Sequence, residues 1–217
     1  MTTGPAEVTV VIATRDRAAE LRRTLGRLAA LPEEPAVIVV DNGSTDGTAA
    51  LVRREFPQVS VIRNRRNRRA AARNQGVRRA ATRYVAFSDD DSWWDPGALA
   101  AACDLLGSHP RVGVVAARTL VGEEAAEDPL NVVLAASPVG PVGPAGLPGP
   151  VILGFLGCAI VARREAFLAV GGYSPLLGIG GEEQLLALDL AAAGWAAVYA
   201  DTVTARHFPS PSRNPAA

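Results

Sequence analysis

Ser88-Asp89-Asp90-Asp91 places three consecutive carboxylates directly after Tyr84-Val85-Ala86-Phe87, a short apolar run with the character of a strand. Two unit charges about 4 Å apart repel by roughly 4 kcal/mol at an effective dielectric near 20, so a strand that delivers three acids to one end calls for a cation there. A divalent metal held by one or two carboxylates and by the phosphates of a substrate meets that need. This reading makes the chain an enzyme acting on a phosphorylated or nucleotide-linked molecule. The alternative is a polar loop in which Ser92 or Asp95 caps the next helix.

Other candidate groups follow the same logic. Asp41 closes the apolar run Ala36-Val37-Ile38-Val39-Val40, so its carboxylate faces a crevice, where it can accept from a base N–H or a ribose hydroxyl. After it, Asn42-Gly43 and Asp46-Gly47 demand tight turns with positive φ, and Ser44, Asp46 and Thr48 read as turn and cap chemistry. Nine arginines lie between Arg63 and Arg83. Arg73 stands near a helix start, where a guanidinium suits a phosphate, and most of the others read as a solvated face. The rival is an arginine-rich nucleic-acid surface, although no aromatic platform interleaves with the arginines. Glu182 and Glu183 open a later helix. The helix dipole alone favours acids there, and a general base in a cleft is the functional reading. His207, beside Arg206, ends the set.

These groups need a scaffold. Val8–Ile12 and Ala36–Val40 read as buried strands, with Leu21, Leu25, Leu28 and Leu31 at helical spacing between them. Helices are expected over Thr48–Phe56, Arg69–Thr82 and Gly97–Leu106, with strands at Val59–Ile62, Tyr84–Phe87 and Val112–Ala116. Alternating β and α segments imply a mostly parallel sheet with helices on both faces, and ligands collect at the carboxyl ends of its strands. From Val121 to Pro150, six prolines and five glycines break the alternation, and this stretch is expected to be a mobile flap or a plain linker. Beyond it come a strand (Phe155–Ala162), a short helix (Arg163–Val170), a turn at Gly171-Gly172, a glycine run at 178–181, a helix (Glu182–Ala193) and two closing edge strands (Val198-Tyr199 and Val203–Arg206). A frayed tail is expected from Pro209.

The 217 residues suffice for one large domain, and zero net charge gives no global pull toward nucleic acid or anionic lipid. The chain has no lysine, which excludes a P-loop lysine and a lysine Schiff base. No G-x-G-x-x-G follows the first strand, which argues against a dinucleotide cofactor. Cys103 and Cys158 are isolated thiols suited to a reducing compartment. The longest apolar run, Val151–Ala162, is 12 residues, too short to cross a bilayer. The N-terminus has no signal-peptide pattern. A cytoplasmic protein is therefore expected, or one peripheral to the inner face of the membrane.

In order, Val-Ile-Ala-Thr-Arg-Asp-Arg, Val-Val-Asp-Asn-Gly-Ser-Thr-Asp-Gly-Thr, Ala-Arg-Asn-Gln-Gly, Phe-Ser-Asp-Asp-Asp, Gly-Glu-Glu and a terminal His resemble the family 2 glycosyltransferases of GT-A fold, from Val8 to about His207. The resemblance implies an α/β GT-A domain over residues 1–208, Rossmann-like, with a small antiparallel C-terminal part. Residues 8–117 would form the nucleotide-sugar half, 118–150 the loop, 151–208 the acceptor and catalytic half, and 209–217 a tail.

It further implies inverting transfer from a nucleoside-diphosphate sugar, a UDP-sugar favoured, to a saccharide, lipid-linked, peptide or small natural-product acceptor. Ala13, Thr14, Arg15, Asp41, Arg73, Asp89 and Asp90 would contact the donor. Asp91, with Asp89 and His207, would bind Mn²⁺ or Mg²⁺, and Glu183 or its neighbour Glu182 would deprotonate the acceptor. The sequence departs from the pattern in three places. The usual Glu-Asp pair is Glu182-Glu183 here, Leu185 replaces a common Asp, and Arg66 to Arg69 replace a segment that usually carries Gly. The Glu183 departure leaves open a GT-A scaffold that binds nucleotide without transfer.

Overall fold

The computed structural model describes residues 7–139, 146–177 and 180–209. In chain order the strands are β1 (Val8–Thr14), β2 (Ala36–Asp41), β3 (Ser60–Arg63), β4 (Tyr84–Ser88), β5 (Ser92–Trp94), β6 (Val112–Val121), β7 (Ala126–Glu127), β8 (Ile160–Arg163) and β9 (Ala196–His207). The helices are α1 (Ala18–Ala29), α2 (Thr48–Glu55), α3 (Arg73–Arg79), α4 (Ala98–Ser108), α5 (Pro129–Ala135), α6 (Arg164–Ala169) and α7 (Glu182–Ala192). One sheet runs β3-β2-β1-β4-β8-β6-β9-β5, with β7 paired to β6. Strands β3, β2, β1 and β4 are mutually parallel, and β8 enters antiparallel between β4 and β6.

Two apolar layers cover the sheet because strand side chains alternate between faces. Val8, Val10 and Ile12 join the layer with Leu21, Leu25 and Leu28 of α1 and Leu99 and Leu106 of α4. Val11 points the other way, into the layer with Val77 of α3, Phe167 of α6 and Leu186 and Leu190 of α7. Gly76 lets α3 sit directly on β1, since a Cβ there would lie 2.4 Å from Val11 Cγ1.

The structure refines several boundaries. The expected Arg69–Thr82 helix starts as a 3-10 turn (Arg69–Ala72) and ends at Arg79. Arg69 itself has φ +52°, the left-handed region where a side chain is uncommon, so the helix does not begin as a regular α-turn. The strand expected from Phe155 begins only at Ile160, because Leu156–Ala159 forms a turn closed by Ala159 N donating to Leu156 O at 3.0 Å. The two expected edge strands are one strand, β9. It lies between β6 and β5, and its register slips between Ala200 and Thr204. The irregular stretch after Val121 contains β7 and α5, with Asp128 capping α5 through Leu130 N. Residues 140–145 of that stretch, Gly178 and Ile179 of the glycine run, and the tail from 210 lie outside the described residues.

Candidate active site

Parallel pairing brings the chemistry to one edge. Thr14 is in register with Asp41, Asp41 with Arg63, and Ser88 with Ile12, so the carboxyl ends of β1 to β4 present these groups together. Asp41 is fully buried. Its Oδ1 accepts from Ser44 N at 2.8 Å, while its buried Oδ2 has no hydrogen-bond partner and lies 3.5 Å from Arg63 Nε. The first two junctions are laced together. Asp16 Oδ1 accepts from Thr45 N at 2.6 Å, Ser44 Oγ from Asp16 N at 3.0 Å, and Asp46 Oδ2 from Ala18 N at 3.1 Å. Ser44, Asp46 and Thr48 are thus used in turn and cap bonding. Asn42, read from sequence as a turn residue, holds the arginine loop. Its Oδ1 accepts from Arg68 N at 2.8 Å, and its Nδ2 donates to Asn67 Oδ1 at 2.7 Å.

The three acids separate into different roles. Asp90 is buried, and both its oxygens are used inside the protein. Thr14 Oγ1 donates to Oδ2 at 2.8 Å and Arg17 Nε to Oδ1 at 2.5 Å, while Thr24 Oγ1 donates to the Asp90 carbonyl at 2.8 Å. Burial and then Asp89 raise the Asp90 pKa to about 6, against the pull of Arg17. Arg17 also donates from Nη2 to Asp91 Oδ2 at 2.8 Å, bridging two neighbouring carboxylates. Burial disfavours the Arg17 charge, but Asp90 and Asp91 outweigh it and raise its pKa. Asp89 takes a hydrogen bond from Arg73 Nη2.

Pairing of β5 with β9 delivers His207 to the same place. Ser92 is in register with His207, and Phe208 N donates to Asp91 O at 2.8 Å. His207 Nε2 lies 3.6 Å from Asp91 Oδ1. The three-residue strand β5 carries no periodicity and was invisible in the sequence, yet it makes this meeting possible. Asp91 and His207, both expected as metal ligands, come together, whereas Asp89 turns to Arg73. Among the described residues no group of three or more His, Cys, Asp or Glu side chains is arranged to hold a metal ion. Of the other expected donor contacts, Ala13 is half-buried, and Arg15 is exposed with its Nε 3.5 Å from Asp16 Oδ2.

Arg73 reaches from this edge to Tyr173. Its guanidinium lies 5.7 Å from the centre of the Tyr173 ring while it pairs with Asp89. Burial opposes its charge, but Asp89 and then Tyr173 prevail and raise its pKa. Tyr173 is held by Asn74, whose Nδ2 donates to the Tyr173 carbonyl at 2.8 Å. Glu183, half-buried in the first turn of α7, has its pKa raised chiefly by burial and then by Glu182, with Arg73 acting the other way. Glu182 is buried, and its Oε2 has no hydrogen-bond partner. Arg17, Asn74 and Tyr173 were not singled out from sequence. The first two sit inside the recognised motifs, so their motif positions were the available signal.

A parallel, two-layered sheet with an acidic carboxyl edge and an antiparallel C-terminal part is the GT-A glycosyltransferase fold. The model of an enzyme family, "Glycosyl transferase family 2", matches residues 9–171, and the chain belongs to that family. An N-acetylglucosaminyl-diphospho-decaprenol L-rhamnosyltransferase of Mycobacterium tuberculosis is 27% identical over 95% of this chain and 78% of its own length. The succinoglycan biosynthesis protein ExoU of Rhizobium meliloti is 31% identical over 44% of this chain. Among solved structures, the mannosyltransferase PcManGT of Pyrobaculum calidifontis, in complex with GDP-Man and Mn²⁺, superposes with a TM-score of 0.75 at 24% identity over 97% of this chain. The matched chain spans 29% of the succinoglycan protein and 61% of the mannosyltransferase. No helix among the described residues is long and apolar enough to cross a membrane.

Proposed function

We propose that this chain moves a sugar from a nucleoside-diphosphate sugar to an acceptor hydroxyl, with inversion at the anomeric carbon. The observation that carries this reading is Arg73, which pairs with Asp89 on the acidic edge and lies over the ring of Tyr173, whose hydroxyl borders Gly157 together with the Glu183 carboxylate. Arg73 and Tyr173 thus join a donor half to a catalytic half.

The donor half is built to bind. Asp41 Oδ2, buried and without a hydrogen bond, is an acceptor for a base N–H. Asp90 belongs to the framework, since Thr14 and Arg17 occupy its oxygens. The residues present also fit a divalent cation. Asp91 and His207 offer an oxygen and a nitrogen ligand side by side, and His207 Nε2 has no hydrogen-bond partner. Two protein ligands plus substrate phosphates is a common arrangement for Mg²⁺ and similar ions. When bound, such an ion would neutralise the leaving diphosphate. The Mn²⁺ of the mannosyltransferase complex supports the same class of cofactor here.

In the catalytic half, Glu183 accepts the acceptor hydroxyl's proton as that oxygen attacks the anomeric carbon. The bond to the diphosphate breaks, and the nucleoside diphosphate leaves with the electron pair. Burial makes the Glu183 carboxylate more basic than an exposed one, which suits a general base working near neutral pH. The rhamnosyltransferase relative, named for a diphospho-decaprenol substrate, supports a lipid-linked acceptor and an enzyme that works at a membrane surface.

Thermal shift against UDP, GDP, dTDP and CMP sugars, each with and without Mn²⁺, tests the donor reading, because a ligand that binds only the native state raises its stability by mass action. One nucleotide sugar should stand out, and more so with Mn²⁺. No shift with any of them would overturn it.

A further inference from the structure

We propose that Gly157 is a positioning residue for the base, its missing side chain leaving the seat in which the Glu183 carboxylate rests. Gly157 lies in the Leu156–Ala159 turn, and its φ is outside the left-handed region that Gly172 and Gly181 occupy, at +72° and +89°. The reason for a glycine here is therefore space. A Cβ at this position would lie 2.8 Å from Glu183 Oε1, 3.5 Å from Glu183 Cγ and 3.4 Å from the Tyr173 hydroxyl. Even a favourable C–H···O contact keeps carbon and oxygen about 3.3–3.6 Å apart. The closest obstacle is the far end of a flexible side chain, so an added methyl group would displace the carboxylate and leave the surrounding fold in place.

The same turn also touches the acidic edge. Ser92 Oγ lies 3.4 Å from the Cys158 carbonyl as a donor to it, and accepts from Asp89 N at 2.8 Å. Gly157 thus sets where the base stands relative to the donor, and the space above it accommodates the full length of a glutamate. Shortening residue 183 by one methylene would draw the carboxylate back from a methyl group on residue 157.

This inference rests on Glu183 being the base, and the experiment separates the two. Steady-state transfer and thermal melting are measured for wild type, Glu183→Gln, Gly157→Ala and Gly157→Ala/Glu183→Asp. Misplacing a catalytic group by about 1 Å can cost about 10²-fold in rate, so Gly157→Ala should lose kcat on that scale. Its donor KM and melting temperature should stay those of wild type. Adding Glu183→Asp should then recover part of the lost kcat. Wild-type kcat in Gly157→Ala, or a loss that Glu183→Asp does not relieve, overturns the role of Gly157. Full activity in Glu183→Gln would overturn the base assignment itself.

Discussion

Asn74 and Tyr173, 99 positions apart, clamp each other through two hydrogen bonds. Asn74 Nδ2 donates to the Tyr173 carbonyl at 2.8 Å, and Tyr173 N donates to Asn74 Oδ1 at 3.0 Å. The pair ties the first turn of α3, next to Arg73, to Tyr173, whose ring the Arg73 guanidinium covers. Asn74→Ala leaves a buried N–H and C=O unpaired, at a cost of about 1–3 kcal/mol. Urea denaturation should show that loss, and cleavage by protease should increase near Tyr173. Asn74→Asp keeps the acceptor but sets a carboxylate oxygen against the Tyr173 carbonyl and buries a charge, so its loss should be at least as large.

Arg17 answers the repulsion that three consecutive acids create. Its guanidinium reaches Asp90 at 2.5 Å and Asp91 at 2.8 Å from two different nitrogens. Hydrogen bonds to charged groups contribute about 1.5–3 kcal/mol, so Arg17→Ala should lower unfolding free energy on that scale. A lysine is a point charge and cannot present the planar fork, so Arg17→Lys should recover only part of the loss. Equal stability of wild type and Arg17→Ala in chemical denaturation would show that the bridge contributes nothing.

The raised pKa of Glu183 has a defined sign in kinetics. In the proposed mechanism only the Glu183 carboxylate can take the acceptor's proton, so rate is lost as pH falls through the pKa. Because burial raises that pKa, the acid limb of kcat/KM should lie above the ordinary glutamate value of about 4.3. In Glu183→Gln the limb should disappear and transfer should fall about 10²–10⁴-fold, the usual size of general-base catalysis. Donor binding should persist in that variant. A pH–rate profile of both proteins checks this.

Much of the fold was legible in the sequence because buried parallel strands and amphipathic helices write their periods into it. The strands from Val8 to Phe87 and the α1 leucines belong to this part. Strand β5 was hidden because Ser92-Trp93-Trp94 exists as a strand only through pairing with Arg206 and His207. Strand β9 looked like two pieces because its register slips near Asp201, where the chain turns to solvent. The start of β8 was misplaced because an apolar run does not distinguish the Leu156–Ala159 turn from a strand. In the site, residue types pointed to Asp41, Asp91 and Glu183. The partners of each acid depend on three-dimensional register. Asp89 with Arg73, and Asp90 with Thr14 and Arg17, emerge only once the sheet is assembled.

The measurement closest to the proposed function is isothermal titration of the preferred nucleotide sugar, with and without Mn²⁺, into wild type and Asp91→Asn. Asp91 is buried beside His207 at the end of the acidic edge, where one carboxylate and one imidazole can share an ion with the donor's phosphates. Mn²⁺ should tighten donor binding to wild type and leave Asp91→Asn unaffected, with both proteins melting cooperatively. Equal Mn²⁺-assisted affinity in the two proteins would contradict a donor site built around Asp91.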